Sequence, residues 1–233
     1  MTDLAARPVH GSATDGIRLL VFDWDGTLMD SEAQIVACLH AAIRDLSVAP
    51  MDDETVKNVI GLGLREAIDT LVPGRDAAFH EAFVGHYRRH WFSSGASQLF
   101  DGVTDMLTLC RQQRLLLGVA TGKARRGLER VLGETGLGGM FDATRCADEA
   151  PSKPHPQMLI DVMQALGVRP QQTIMVGDTE YDMAMASNAG AAKIAVTCGV
   201  HSGERLARHT PLASLQHVAE LPGWLRHAGI ITN

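Results

Sequence analysis

The sequence predicts an α/β fold: a Rossmann-like parallel sheet core with an inserted all-helical cap. Five short apolar runs, at 19–22, 115–120, 141–146, 173–176 and 193–197, have the length and composition of buried strands. Helix-like segments at 125–134, 157–166 and 180–189 alternate with the last four runs, the rhythm of a parallel sheet covered on both faces. Residues 31–98 break that rhythm, with helical patterns at 32–46, 64–71 and 77–91 and no convincing strand. The expected organisation is a mobile N-terminal arm at 1–16, a core built from 17–30 and 99–233, and a helical cap at 31–98. Open α/β sheets bind ligands at the carboxyl ends of their strands. An insert after the first strand sits at that edge and is placed to act as a lid.

The first run, Leu19-Leu-Val-Phe22, ends in two acids flanking Trp24, and Gly26-Thr27 turns the chain. Residues two apart on extended backbone point the same way, so Asp23 and Asp25 project together. Carboxylates that close repel unless a cation or proton shares the site. A hard divalent metal with oxygen ligands, such as Mg²⁺, meets that need. The plain alternative is a solvated Asp-Gly turn closing a hairpin, and no matching strand follows within hairpin distance. Trp24 reads as wall or packing. Ser31-x-x-Gln34 has capping-box spacing and starts a helix directly after the acidic loop. Pro73-Gly74 breaks the insert before Asp76, a candidate N-cap for the helix at 77–91. In the core, Gly136, Gly167 and Gly190 follow the helical segments as stop signals.

Composition narrows the function classes. With 233 residues, 45% of them hydrophobic, the chain can bury one good core and a second, smaller one. A net charge of −6 argues against an electrostatic nucleic-acid partner. No apolar run approaches the roughly 20 residues of a membrane span, and the first sixteen residues lack the apolar centre of a signal peptide. Cys38, Cys110, Cys146 and Cys198 lie far apart, the pattern of reduced thiols in a cytoplasmic protein rather than of a zinc ribbon. The lysines are Lys57, Lys123, Lys153 and Lys193 alone, so a lysine inside a motif carries weight. Monomer and homodimer both remain open.

Three further motifs end strands and should meet Asp23 at one sheet edge. The second strand finishes Thr121-Gly122-Lys123. A hydroxyl followed by glycine at such a turn can donate to a phosphate oxygen, with backbone N–H groups assisting; Thr121 also suits a plain N-cap. The spacing excludes a Walker loop. Lys153 stands among three prolines in Pro151-Ser-Lys-Pro-His-Pro156, on a stiff connector that either presents its ammonium to negative charge or leaves it on the surface. The fourth strand ends Gly177-Asp178, with Asp182 one helical turn on. The i, i+4 pair shares a face, so one carboxylate can bind a metal and the other brace it, or Asp178 can simply cap the helix.

Asp23-x-Asp25-Gly-Thr, Thr121, Lys153 and Gly177-Asp178 with Asp182, in this order, resemble the haloacid dehalogenase-like hydrolase superfamily, and the helical insert falls where its C1 caps lie. The resemblance implies that Asp23 is a nucleophile forming an aspartyl-phosphate and that Asp25 protonates the leaving oxygen and then activates water. It implies that Thr121, Gly122 and Lys153 hold the phosphoryl group. Mg²⁺ would sit on Asp23, the Asp25 backbone carbonyl and Asp178, with Asp182 behind. The chemistry agrees, because phosphoryl transfer needs positioning and charge neutralisation above all.

Asp25 chooses among branches, since an alkoxide leaving group requires a general acid. The expected activity is Mg²⁺-dependent hydrolysis of a small phosphorylated metabolite, phosphoglycolate-like or a sugar phosphate. A β-phosphoglucomutase-type reaction and a non-catalytic regulatory role on the same fold are the alternatives. Asn58-Val-Ile-Gly-Leu-Gly-Leu-Arg65 resembles the cap loop of phosphoglycolate phosphatase-like members, where Arg65 could grip a substrate anion or merely start a helix. His86 and His90 read as a solvated or cleft-facing helix surface rather than a metal pair. His201 reads as an ordinary loop residue, with the site entrance as the other option.

Overall fold

The computed structural model describes residues 16–232; of the expected N-terminal arm, all but Gly16 lies outside the described residues. In chain order the elements are β1 Leu19–Phe22, β2 Met29–Asp30, α1 Glu32–Asp45, α2 Asp53–Lys57, α3 Leu64–Leu71, α4 Ala77–Ser93, β3 Gln98–Leu99, α5 Val103–Gln112, β4 Leu116–Thr121 and α6 Arg125–Thr135. They continue with β5 Ala143–Cys146, α7 Gln157–Leu166, β6 Thr173–Gly177, α8 Glu180–Asn188, β7 Ala192–Val196, α9 Gly203–Ala207, β8 Ser214–Leu215 and α10 Leu221–His227.

Six strands form one parallel sheet in the order β5-β4-β1-β6-β7-β8. All four residues of β1 are buried, as a central strand covered on both faces requires. Its alternation divides the core. Leu20 and Phe22 join Val103, Leu107 and Leu117 on one face, while Leu19 and Val21 join Met158, Val162 and Met175 on the other. The chain reverses order beside β1, so the ends of β1, β4 and β6 border one crevice.

Between β2 and β3 the helical segment packs a core of its own, in which Ile35, Leu39 and Ile43 of α1 meet Val56, Ile60, Ile68 and Phe83. The apolar positions of α1 recur at helical spacing, which turns one stripe of it onto α4. Asp76 caps α4, accepting from Phe79 N at 2.9 Å, as expected. Among the described residues no helix is long and apolar enough to cross a membrane.

Several local expectations change. Ser31 makes no capping bond at α1; its hydroxyl donates instead to Asp25 Oδ1 at 2.6 Å. Gln34 reaches across to Ser94 Oγ at 2.6 Å and Gly95 O at 2.9 Å rather than back to the helix start. The helix after Asp178 is capped by Thr179, whose hydroxyl and N–H pair with Asp182 in a capping box, so Asp178 is not the cap. Two short strands flank the cap: Met29 pairs with Leu99 and Asp30 with Gln98, antiparallel. Each is only two residues long, too short to leave an alternating pattern in the sequence.

Candidate active site

Asp23 leaves the end of β1 with its N–H bonded to Val176 O at 3.0 Å, which fixes it beside the end of β6. Asp178 and Asp182 come from that neighbouring turn. One carboxylate oxygen from each of Asp23, Asp178 and Asp182 lies within 4.8 Å of the others, and all three residues are buried. The Asp25 side chain is not part of this set. It turns to Ser31 and to Lys123, whose Nζ is 2.9 Å from Asp25 Oδ1. The two acids of the first motif thus line the same cavity but pair with different lysines.

Lys153 is fully buried, which settles its place: its Nζ is 2.8 Å from Asp23 Oδ1 and 2.6 Å from Asp182 Oδ1. Asp182 and Asp23 outweigh the opposing effect of burial and raise the ammonium pKa, so Lys153 is held charged. Burial pushes the Asp23 carboxyl well above the usual carboxylate range against the pull of Lys153. Asp178 is pushed up to about 7 by burial and by the Asp182 charge, partly offset by bonds from Thr27 and Val200. Those bonds are short, 2.7 Å from Thr27 Oγ1 to Oδ1 and 2.9 Å from Val200 N to Oδ2. Gly26 permits this packing, because a Cβ there would stand 2.3 Å from Asp178 Oδ2. Three carboxylates facing one ammonium leave an excess of negative charge. Asp23 Oδ1 is engaged by Lys153 alone, and Oδ2 has no partner although it is buried. Hard oxygen donors, uncompensated charge and an unpartnered Asp23 oxygen fit a hard divalent cation.

Thr121 is fully buried at the end of β4 and its hydroxyl accepts from Lys123 N at 3.2 Å, a local turn bond rather than a helix cap. Gly122 lines the cavity and lies under the cap: a Cβ on it would be 2.4 Å from Leu62 O. The cap loop is held to the core on both sides of that contact. Tyr181 Oη donates to Asn58 O and Arg205 Nη1 to Asn58 Oδ1, each at 2.7 Å, and Gly63 N donates to Ser152 Oγ at 2.8 Å. Arg65 lines the cavity from the cap, exposed.

Sequence reasoning missed two participants and the surroundings of one loop residue. Lys123 reaches Asp25 and also lies 4.6 Å from the Trp91 ring centre on the cap, and its rarity as a lysine was the available signal. Ser31 was assigned to a helix cap. His201 is buried rather than an ordinary loop residue; its Nδ1 accepts from Glu180 N at 2.9 Å and burial, then Arg205, lowers its pKa to about 4. His86 and His90 do not sit free on the helix surface: each approaches Asp45 Oδ2, at 2.7 and 2.8 Å.

A parallel α/β core whose strand ends gather carboxylates and a buried lysine beneath a helical insert is the architecture of a capped hydrolase. The profile described as haloacid dehalogenase-like hydrolase matches residues 20–196. The chain belongs to that family. It is 35% identical over 211 residues to "Probable phosphatase IndB" of Dickeya dadantii (strain 3937), covering 88% of this chain and 92% of that one. It is 30% identical over 215 residues to a phosphoglycolate phosphatase of Chromobacterium violaceum, covering 88% and 96%. A crystal structure of a haloacid dehalogenase-like hydrolase from Bacteroides fragilis superposes with a TM-score of 0.81 at 24% identity, over 88% of this chain and 99% of that one, a likeness of fold.

Proposed function

We propose that the protein is a Mg²⁺-dependent phosphatase that hydrolyses a small phosphorylated metabolite through an aspartyl-phosphate on Asp23. The observation that carries this reading is the state of Asp23, which lines the cavity with Oδ1 paired to Lys153 and Oδ2 buried without a partner. Such oxygens are available to a metal and to phosphorus. Relatives named as phosphatases support the same class.

Asp23, the backbone carbonyl of Asp25 and Asp178 would hold the ion, with Asp182 anchoring Lys153 behind them. When bound, Mg²⁺ supplies positive charge to the carboxylate and phosphoryl oxygens. Asp23 attacks phosphorus as the ester P–O bond breaks, and Asp25 delivers its proton to the departing oxygen. Water then attacks the aspartyl-phosphate, Asp25 takes the water's proton, and the Asp23 carboxylate leaves with inorganic phosphate as product. Lys153 balances the negative oxygens of the transferring group throughout, and Thr121 with the Gly122 turn holds them in place.

Phosphate release from a panel of phosphomonoesters, with Mg²⁺ and with chelator, tests the proposal. Release is expected only with the metal and is lost in Asp23→Asn. Release by Asp23→Asn at the wild-type rate removes the covalent mechanism.

A further inference from the structure

The cavity between core and cap has a volume of about 770 Å³, within the range of sites that enclose drug-sized ligands. Its layers differ in chemistry. The floor holds Asp23 and Asp25. Above it stands an apolar wall whose accessible part includes Leu62, Leu64, Val84, Tyr87 and Trp91. Leu39, Val59 and Ile60, in the buried core of the cap, back this wall and make it rigid. Tyr87 and Trp91 lie one helical turn apart on α4 with ring centres 6.1 Å apart and planes 21° apart, a stacked aromatic pair in the cavity lining. At the mouth stand Arg65, Arg88 and Arg126, all exposed and, among the described residues, without hydrogen-bond or ion-pair partners.

A substrate whose organic part is a single carboxymethyl group fills little of this space. It would leave the wall wetted, which forfeits the burial that such surface offers. A phosphate on the floor, an apolar body on the wall and an anion at the arginines would use every layer. We infer that the substrate is a phosphomonoester with an apolar body of at least benzyl size, carrying a second anionic group at the end away from the phosphate. The inference rests on the phosphatase reading for its floor and on the wall and rim for its novelty.

Ethyl, benzyl and 4-carboxybenzyl phosphate and phosphoglycolate all release primary alkoxides, so their kcat/KM values report recognition more than leaving-group acidity. With Mg²⁺, kcat/KM is expected to rise at least ~10-fold from ethyl to benzyl phosphate and again with the carboxyl group. The second gain is expected to vanish in a variant combining Arg65→Gln, Arg88→Gln and Arg126→Gln. Ethyl phosphate or phosphoglycolate ranking level with or above benzyl phosphate overturns the apolar body. A carboxyl gain that survives the triple substitution overturns the arginine rim. Thermal protection by benzylphosphonate and ethylphosphonate reads the wall without turnover, and benzylphosphonate should protect at a concentration at least ~10-fold lower. Equal protection sinks the inference. Protection in that order, with no release from any ester, sinks the phosphatase reading alone.

Discussion

Lys123 Nζ lies 2.9 Å from Asp25 Oδ1, on the same oxygen that accepts the Ser31 hydroxyl. Because the ammonium also rests on the Trp91 ring, a residue of the cap touches the arrangement that orients the core's acid. Lys123→Met is expected to lower kcat by about tenfold, and Trp91→Leu to act in the same direction. Steady-state kinetics on a simple phosphomonoester checks both. An unchanged kcat in Lys123→Met would show that Ser31 alone orients Asp25.

Lys153 is the only protein cation within ion-pair distance of Asp23 among the described residues. Its removal leaves Asp23 and Asp182 without their shared ion-pair partner. Lys153→Met should destabilise the metal-free protein by about 3–5 kcal/mol, as expected when one partner of a buried charge network is lost. Urea unfolding with and without Mg²⁺ measures it, and the ion should recover part of the loss.

Metal affinity should depend on pH. Asp178, pushed up to about 7 in the metal-free protein, must release its proton to act as a ligand. Affinity therefore rises as pH increases through about 7, and the raised Asp23 carboxyl, which must also lose its proton, adds to the rise. Calorimetric Mg²⁺ titrations between about pH 6 and 8 should show this trend, and Asp178→Asn should weaken it together with most of the affinity, leaving the part due to Asp23.

His201 gives a stability signal of defined sign. Its pKa falls from 6.5 to about 4 on folding, so the folded state favours the neutral ring. Its contribution is fully present above 6.5 and is lost as pH falls towards 4, because the unfolded chain takes up the proton first. Raised carboxyl pKa values at Asp23 and Asp178 act in the opposite direction, so the difference between wild type and His201→Gln isolates the imidazole. That difference should shrink on acidification. A constant gap across the window means that the ring titrates normally.

Gly122→Ala places a methyl group 2.4 Å from Leu62 O, a backbone atom that cannot rotate away. The cap loop must shift outward, and a displacement of about 1 Å at such a site costs on the order of 100-fold in rate. Comparison of kcat/KM with thermal midpoint should show activity falling much further than stability.

The core was legible because its signals are local. β1 and α7 occupy the residues that apolar run and helical period predict, and Asp23, Asp178 and Lys153 meet because strand ends meet in a parallel sheet. What escaped depends on distant partners. Ser31 has the spacing of a capping box and is taken by an acid six residues earlier, since a carboxylate beside a lysine is the stronger acceptor. His201 looks like loop until Tyr181 and the start of α8 close around it. Lys123 needs Trp91, thirty-two residues away, before its position has meaning.

The ribbon formed by Met29–Asp30 and Gln98–Leu99 carries the chain out of the sheet and back through adjacent strands. Neighbouring strands run about 4.8 Å apart, so the excursion begins and ends at almost one point. A different headpiece could be spliced at that junction without disturbing the order of the six parallel strands. Exchanging residues 32–97 between homologues should therefore move the choice of ester while keeping Asp23, Asp25, Ser31, Lys153 and Asp178 in place, with a lower rate where the new headpiece lacks a ring in the position of Trp91.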